Sequence, residues 1–358
     1  MVAVHDLIER GIPDVIDVAG LDEVIAAEID HLAGRTDRWR NHASPAIRAR
    51  ALVVEGDVGA ARAALAEIDV AATAGTDLAA TAWAIGRLGC RELADLALER
   101  LAAEPSMLFA GEVPLGPRAG FVGVLLAAKG DLDNAAETLA DAVVDGDERA
   151  PLWGALARVE LARVLRCRAI VGADATDDDS SAISSLEQAA RLFFRAGGYR
   201  SLAERTDALL DPRHVSGAVG APNVGWFVPG KRWRVGIGVM APADVRPSKG
   251  LRALHHLIGH PGQPIPAALL DRVAAGDDPD RVRSQLVASA EDPSAGLAAA
   301  LVDEPTRSRV QKLLRRSIDR LDVDHPLLGA HLRATVRTGQ LCRYDPPSGS
   351  APRWSMSG

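Results

Sequence analysis

Apolar and polar residues follow a helical period most clearly near the carboxyl end of the chain, between Pro305 and Leu321. Six residues at helical spacing form one mostly apolar stripe: Val310, Leu313, Leu314, Ser317, Ile318 and Leu321. At about 100° per residue, the opposite face carries Ser308, Arg309, Lys312, Arg315, Arg316 and Asp319. The pattern therefore predicts a helix over 307–321 with one buried face and one cationic face.

A short connector is predicted after this helix, and then the period changes to the two residues of a β-hairpin. The segments 334–338 and 341–344 flank Gly339-Gln340, which has the length of a tight hairpin turn. Three arginines occur in or beside this hairpin: Arg333, Arg337 and Arg343. A helix with one cationic face, followed by an arginine-bearing hairpin, is the layout of a winged helix.

The amino-terminal part of the chain shows a different pattern, in which glycines separate apolar helical segments. Gly56, Gly89 and Gly130 are each followed by alanine after five residues and by leucine after nine. Their separations, 33 and 41 residues, lie near the ~34-residue period of tetratricopeptide repeats. A glycine cap and a small alanine suit two closely packed helices, so we expect stacked helical hairpins. A helical domain without repeats, in which the glycines coincide by chance, is the alternative.

Further helices are predicted by apolar periodicity at 21–33, 46–54, 79–88, 120–128, 151–167, 182–196 and 201–210. The segment 107–117 interrupts this pattern, and we expect it to be non-helical and either exposed or on the concave face of the array. The acidic segment 173–181 is interpreted as a solvated linker between helices. Its consecutive aspartates lack the alternate spacing and the glycine of a calcium-binding loop.

Glycine, proline and serine concentrate in 211–224, which we interpret as a linker between a helical-repeat domain (1–210) and a second domain (225–358). Two strands are predicted at 226–228 and 233–239. Ser248 is then expected to cap a helix, and further helices are expected at 265–274 and 280–290, with an insertion near 275–304. The predicted fold class is mainly α: a TPR-like helical repeat array followed by a small α+β winged-helix-like domain.

Composition narrows the possible functions. The net charge of −7 argues against a molecule that coats nucleic acid with its whole surface, but 305–344 holds nine Lys or Arg against three acidic residues. The three cysteines are widely spaced, so neither a disulfide framework nor a zinc site is expected. We see no signal peptide and no apolar run of the ~20 residues that a membrane helix needs, so we expect a cytoplasmic protein with no membrane contact.

Catalytic and metal-binding patterns are weak. Ser248-Lys249-Gly250 does not fit a phosphate-binding P-loop, and no serine or cysteine lies in a nucleophile-elbow context. His256 and His260, next to His255, are four residues apart and could share a metal on one helical face. However, Gly259 and Pro261 break that helix and no third ligand is near. The sequence therefore predicts neither an enzyme nor a cofactor or metal site.

Two segments resemble the OmpR-type class of winged-helix DNA-binding domains. The segment 257–270 (LIGHPGQPIPAALL) is similar to the end of the first helix, the turn and the start of the second helix. The segment 333–344 (RATVRTGQLCRY) resembles the terminal hairpin. Most of the chain also resembles the carboxyl-terminal part of large actinobacterial regulators, in which a helical-repeat array precedes such a domain. Two features depart from that pattern: the P-loop of an ATPase module is absent, and about 35 residues separate Leu270 from Pro305, more than a compact helix-turn-helix uses.

This resemblance implies a bacterial transcriptional regulator that binds DNA through its carboxyl-terminal domain, with a sensor array that also binds a protein partner. Arginine and lysine are the side chains that contact phosphates and guanine edges. The expected DNA contacts are Arg309, Lys312, Arg315, Arg316, Arg333, Arg337 and Arg343. The alternative is a scaffold or signalling interaction protein in which the winged helix no longer binds DNA. The sequence does not predict the oligomeric state.

Overall fold

The computed structural model of the chain describes residues 23–33, 35–110, 113–171, 177–196, 198–210, 224–238, 242–288, 304–346 and 352–356. These residues are mainly helical, with fifteen α-helices and a few short strands among them. The chain divides into two compact units. The first comprises 1–169, 175–222 and 238–241, and the second comprises 170–174, 223–237 and 242–358.

The first unit is built from helices and one β-hairpin. Its described helices are α1 (Glu23–Ala33), α2 (Pro45–Glu55), α3 (Val58–Leu65), α4 (Gly75–Leu88), α5 (Arg91–Ala102), α6 (Arg118–Lys129), α7 (Leu132–Arg149), α8 (Pro151–Val171), α9 (Asp177–Ala196) and α10 (Arg200–Leu210). The strands β1 (Met107–Ala110) and β2 (Val113–Pro117) form an antiparallel pair between α5 and α6. Among the residues that the structure describes in either unit, no helix has the length and apolar character needed to cross a membrane.

Three helical hairpins follow the glycine pattern of the sequence. Gly56, Gly89 and Gly130 each end a helix in the left-handed region, with φ of 81°, 65° and 85°. The alanine five residues after each glycine is fully buried in all three hairpins. Without a Cβ, glycine adopts positive φ at little cost, and this lets the next helix fold back onto the previous one.

Successive hairpins pack on one another. Helix α2 contacts α4, and α4 contacts α6, so the first helices of the three hairpins lie side by side. Close approach requires small residues here: a Cβ at Gly86 of α4 would overlap the side chain of Val124 in α6. The shared core contains apolar side chains of all three hairpins, including Leu52, Leu78, Ile85 and Leu125.

The left-handed glycines give the first testable prediction. A Cβ at Gly56 would meet nothing within 4 Å, so the change Gly56→Ala tests backbone conformation alone. We expect it to lower the free energy of unfolding by about 1 kcal/mol, because a non-glycine residue is disfavoured at positive φ. Gly59→Ala, three residues later inside α3, is the matched control, and we expect it to stabilise the protein by about 0.5 kcal/mol. Urea denaturation of both variants measures the difference, and equal effects would contradict this explanation.

The two ends of the first unit also meet. Helix α10 contacts α1, and the Ser201 hydroxyl donates a hydrogen bond to the Ala33 carbonyl oxygen. Their apolar side chains form one core with those of α8 and α9, including Ile29, Trp153 and Phe194. The first and last described helices of this unit therefore pack together, and the helices partly surround a cavity.

Two expectations for this unit need partial correction. The segment 107–117 is non-helical, as expected, and contains the β1–β2 hairpin, but Leu108 and Leu115 are buried, so the alternative that it is exposed is wrong. The acidic segment 173–181 is not a linker throughout, because α9 already begins at Asp177. Carboxylates in the first turn of a helix interact favourably with the helix dipole, which explains why an acidic run can start one. Residues 172–176 lie outside the described part of the chain.

The second unit combines short strands with five helices among its described residues. The strands are β3 (Val224–Val228), β4 (Trp233–Ile237), β5 (Ala243–Val245), β6 (Ile265–Pro266), β7 (Val336–Arg337), β8 (Leu341–Tyr344) and β9 (Arg353–Ser355). The helices are α11 (Lys249–Ile258), α12 (Ala267–Ala275), α13 (Pro279–Ala288), α14 (Glu304–Asp324) and α15 (Pro326–Thr335). As expected, Ser248 caps α11, because its hydroxyl accepts a hydrogen bond from the Leu251 amide at 3.2 Å.

The strands form two small sheets. The first has the order β5-β4-β3-β9, with β9 parallel to β3 and the other pairs antiparallel. The second has the order β6-β8-β7, so the strand that follows α11 pairs with the hairpin at the end of the domain. The longer hairpin strand begins at Leu341 and ends at Tyr344, as the sequence predicted.

The connector between the cationic helix and the hairpin is a helix, which the sequence analysis did not predict. Helix α15 starts at Pro326, and the His325 ring caps it by accepting a hydrogen bond from the Leu328 amide at 3.2 Å. The predicted first hairpin strand, 334–338, shrinks to 336–337 because α15 continues to Thr335. Similarly, the second predicted helix of this domain begins at Ala267 because Ile265 and Pro266 belong to β6.

A buried polar network holds the hairpin to this domain. The Tyr344 hydroxyl accepts a hydrogen bond from Trp354 Nε1 at 3.0 Å and lies 2.9 Å from His331 Nε2 in α15. Burial raises the pKa of Tyr344 above its ordinary value, so the phenol stays protonated and can donate to His331. Trp354 lies against Gly225, where an added Cβ would be only 2.6 Å from its Cζ3 atom. These contacts join β8, β9 and α15.

His256 gives a prediction about pH. It is 8% exposed and its ring centroid lies 4.5 Å from that of His260. Burial, and then the nearby His260, Arg283 and His255, lower the pKa of His256 from 6.5 to about 4, while Asp280 opposes the shift. The unfolded chain therefore takes up this proton as pH falls below about 6.5, whereas the folded chain does so only near pH 4. We expect the free energy of unfolding to fall between pH 7 and pH 5, by about 1 kcal/mol from this group. Urea denaturation at both pH values should show a smaller loss for His256→Gln, and an unchanged loss would contradict this assignment.

Candidate nucleic-acid interface

Helix α14 is positioned by its apolar stripe. Val310, Leu314, Ile318 and Leu321 are buried, whereas Leu313 and Ser317 are only partly covered. The helix contacts α11, α12 and α15. Contact with α11 is close, since a Cβ at Gly250 would overlap the hydroxyl of Ser317. Helix α12 therefore packs against the cationic helix despite the long segment between them in the sequence.

The structure places all seven expected contact residues at the surface of the second unit. Four lie on the outer face of α14: Arg309, Lys312, Arg315 and Arg316. Arg333 lies near the end of α15, and Arg337 and Arg343 lie on β7 and β8. Arg337 and Arg343 are directly opposite each other in the antiparallel ladder. The hairpin therefore presents two arginines side by side.

Three of the seven are held by carboxylates. Arg309 Nε lies 3.2 Å from Asp271 Oδ1 of α12. Arg333 Nη2 lies 3.3 Å from Asp322 Oδ2 and 3.7 Å from Asp319 Oδ1, both on α14. Arg343 Nε donates to Asp345 Oδ2 at 2.7 Å. Ion pairs between exposed side chains contribute about 0–1 kcal/mol, so these arginines can exchange their partners for another anion.

The other four have no acidic partner within 4 Å among the residues that the structure describes: Lys312, Arg315, Arg316 and Arg337. Arg320, which the sequence analysis did not include, shares this property and is also exposed on α14. The sequence could have indicated this residue, because Arg320 follows Arg316 by four positions and so lies on the same side of the helix. The cationic face is therefore one helical turn longer than expected.

A groove beside α14 collects several of these cations. It has a volume of about 640 Å³ and lies between α12 and α14. Lys249, Arg309, Lys312 and Arg316 line it, together with one carboxylate, Asp271. A concave surface with four cations and one acid favours an anion.

His255 and His256 lie on α11, and His260 follows the end of that helix. His260 Nδ1 donates to the His256 carbonyl oxygen at 2.8 Å, which is a local helical contact. His255 Nε2 lies 3.1 Å from the Met356 carbonyl oxygen. Within the described ranges, no group of three or more His, Cys, Asp or Glu side chains is arranged to hold a metal ion.

Comparison with known proteins does not identify the chain: it matches no protein family, no curated protein and no solved structure.

Proposed function

We propose that the chain is a bacterial transcriptional regulator whose second unit is a winged helix that binds duplex DNA. In this proposal, α14 contacts the major groove and the β7–β8 hairpin contacts the adjacent backbone. One observation carries the proposal. Lys312, Arg315 and Arg316, with Arg320, project into solvent without acidic partners in the described structure, although the whole chain has a net charge of −7.

The arrangement of these cations supports an anionic partner. Lys312 and Arg316 are four residues apart on α14, and so are Arg316 and Arg320. Like charges at this spacing destabilise a helix by about 0.2–0.5 kcal/mol per pair. Arg337 and Arg343 are likewise opposed across a strand pair, where like charges are unfavourable. A polyanion would relieve both repulsions.

The order of elements also supports the proposal. A small sheet is followed by α11, the short strand β6, α12 and further helices, and then by the β7–β8 hairpin, which pairs with β6. The expected departure, the long segment between Leu270 and Pro305, contains α13, and α15 is a further helix before the hairpin that the sequence did not predict. The packing of α12 on α14 leaves the cationic face of α14 exposed among the described residues.

The three paired arginines have a secondary role in this proposal. Without DNA, Asp271 pairs with Arg309, Asp319 and Asp322 pair with Arg333, and Asp345 pairs with Arg343. A phosphate can replace these carboxylates at little cost, because the pairs are exposed. We therefore assign Arg315, Arg316 and Lys312 the larger share of binding.

The stacked hairpins of the first unit would present a surface to a protein partner, as TPR-like arrays do.

The experiment that tests this function is a fluorescence-anisotropy titration of a labelled random-sequence duplex with the whole chain. Neutralising about four phosphates gives a salt slope that lowers the affinity about 10²-fold between about 50 and about 200 mM NaCl. We expect binding at the lower concentration and this loss at the higher one. Absence of binding at both concentrations would contradict DNA binding. It would instead favour the alternative, a scaffold or signalling protein whose cationic face docks an acidic protein surface.

A further inference from the structure

The first unit contains a partly open cavity of about 310 Å³, and helices from both ends of the described part of that unit contribute to its walls. This volume lies at the lower end of the range for small-molecule pockets, about 300–1,000 Å³. Its walls are mostly apolar and include Leu115 and Pro117 from β2, Phe121 from α6, and Leu156 and Val159 from α8. Such walls favour a hydrocarbon or aromatic group.

Charged side chains converge at one part of this cavity. Among the described residues, three arginines and one carboxylate line it: Arg50, Arg87, Arg163 and Glu160. Arg87 Nη2 donates to Glu160 Oε1 at 2.7 Å, and Arg163 Nη1 lies 3.5 Å from the same oxygen. Burial raises the pKa of Glu160 and lowers that of Arg87, while their mutual attraction opposes both shifts.

Arg87 lines the cavity and has incomplete hydrogen bonding among the described atoms. Its Nε and Nη1 atoms are buried and have no hydrogen-bond partner among the described atoms. A buried donor that lacks an acceptor is costly, and the cost is larger for a charged group. The Arg87 guanidinium also lies 5.2 Å from the ring centroid of Trp83, which lines the cavity too. A ligand with acceptor oxygens beside this side chain would complete its hydrogen bonding.

We propose that this cavity binds a small organic acid, with its carboxylate at Arg87 and its apolar or aromatic body against the walls. A guanidinium presents paired N–H groups that match the two oxygens of a carboxylate. The apolar walls exclude a bare inorganic anion as the preferred ligand, because they offer it no compensation for lost hydration. This site does not depend on the proposed DNA binding, so each can fail without the other.

Isothermal titration calorimetry on the whole chain tests this proposal with three acids, 3-phenylpropanoate, octanoate and indole-3-acetate, and with the primary amide of each. We expect at least one acid to bind one molecule per chain, about tenfold more tightly than its amide, because hydrogen bonds to charged groups are the stronger ones. Binding by none of the three acids, or equal binding of each acid and its amide, would overturn the proposal.

Variants locate the site. In the double variant Arg87→Met with Glu160→Gln, both buried charges are removed together, and the preference for the acid should disappear. Val159→Phe should fill part of the cavity and abolish binding of acid and amide alike. Arg91→Met, on exposed surface in α5, is the matched control and should bind like the unchanged protein. An acid preference that survives in the double variant would contradict the role of Arg87. If that variant does not fold, Val159→Phe decides, since unchanged binding by it would exclude the cavity.

Discussion

Replacing Arg315 and Arg316 by alanine will weaken the binding of duplex DNA about 10²-fold. Both side chains lie on the exposed face of α14 and have no acidic partner within 4 Å among the described residues. An arginine that contacts a base edge contributes about 1–3 kcal/mol, and a loss of about 1.4 kcal/mol for each of the two gives the 10²-fold effect. Fluorescence anisotropy at low salt measures the change. Because neither side chain belongs to the core, thermal unfolding of the variant should match that of the unchanged chain.

A matched control is available on the neighbouring helix α13. Arg281 and Arg283 are exposed on α13, two residues apart. Changing both to alanine removes two positive charges, as in the first variant, but from a different face of the protein. We expect this control to reduce the affinity only a few-fold, through the loss of general attraction. Equal losses for the two double variants would mean that net charge, and not the α14 face, determines binding.

The second large effect is expected at the contact between α14 and α15. A Cβ at Gly329 would overlap the Cα and Cβ atoms of Asp322, so Gly329→Ala must push the two helices apart. Overpacking of a close helix contact typically costs 1–3 kcal/mol, and contact with backbone lies at the upper end of that range. We expect Gly329→Ala to lower the free energy of unfolding by about 3 kcal/mol, measured by urea denaturation.

Gly339→Ala is the control for this change, because it makes the same substitution in the hairpin turn. The nearest atom to a Cβ there is the Leu341 carbonyl oxygen at 3.4 Å, an ordinary contact. Its effect should stay below about 0.5 kcal/mol. If Gly329→Ala were as mild as this control, the tight packing of α15 on α14 would not be what orients the cationic face.

Local patterns were sufficient for some of these elements. The stripe from Val310 to Leu321 predicted α14 because helical periodicity needs only residues within a few turns of one another. The same is true of Ser248 as a helix cap and of the glycines at 56, 89 and 130, whose positive φ follows from local backbone requirements. In each case the deciding interactions lie within one or two turns of the chain.

Other features depend on contacts that the sequence does not reveal. Helix α15 was missed because its cap is a histidine, His325, which is not among the usual capping residues. The neutralisation of Arg309 by Asp271 joins residues on two different helices, α14 and α12. The cavity of the first unit was also missed, since Arg87 and Glu160 are 73 residues apart and meet only when the helices close on themselves. Tertiary packing, and not local pattern, creates the ion pair and the cavity, whereas the cap of α15 is a local contact made by an unusual residue type.

The proposal that α14 faces DNA is tested most directly by lysine acetylation footprinting, read by mass spectrometry with and without duplex DNA. The chain has four lysines, at 129, 231, 249 and 312. Lys312 lies on the cationic face, whereas Lys231 is exposed in the turn between β3 and β4. We expect DNA to protect Lys312 strongly, and Lys249 of the same groove partly, while Lys231 continues to react as before. DNA that binds the chain and leaves Lys312 as reactive as it was would contradict the assignment of α14 as the nucleic-acid interface.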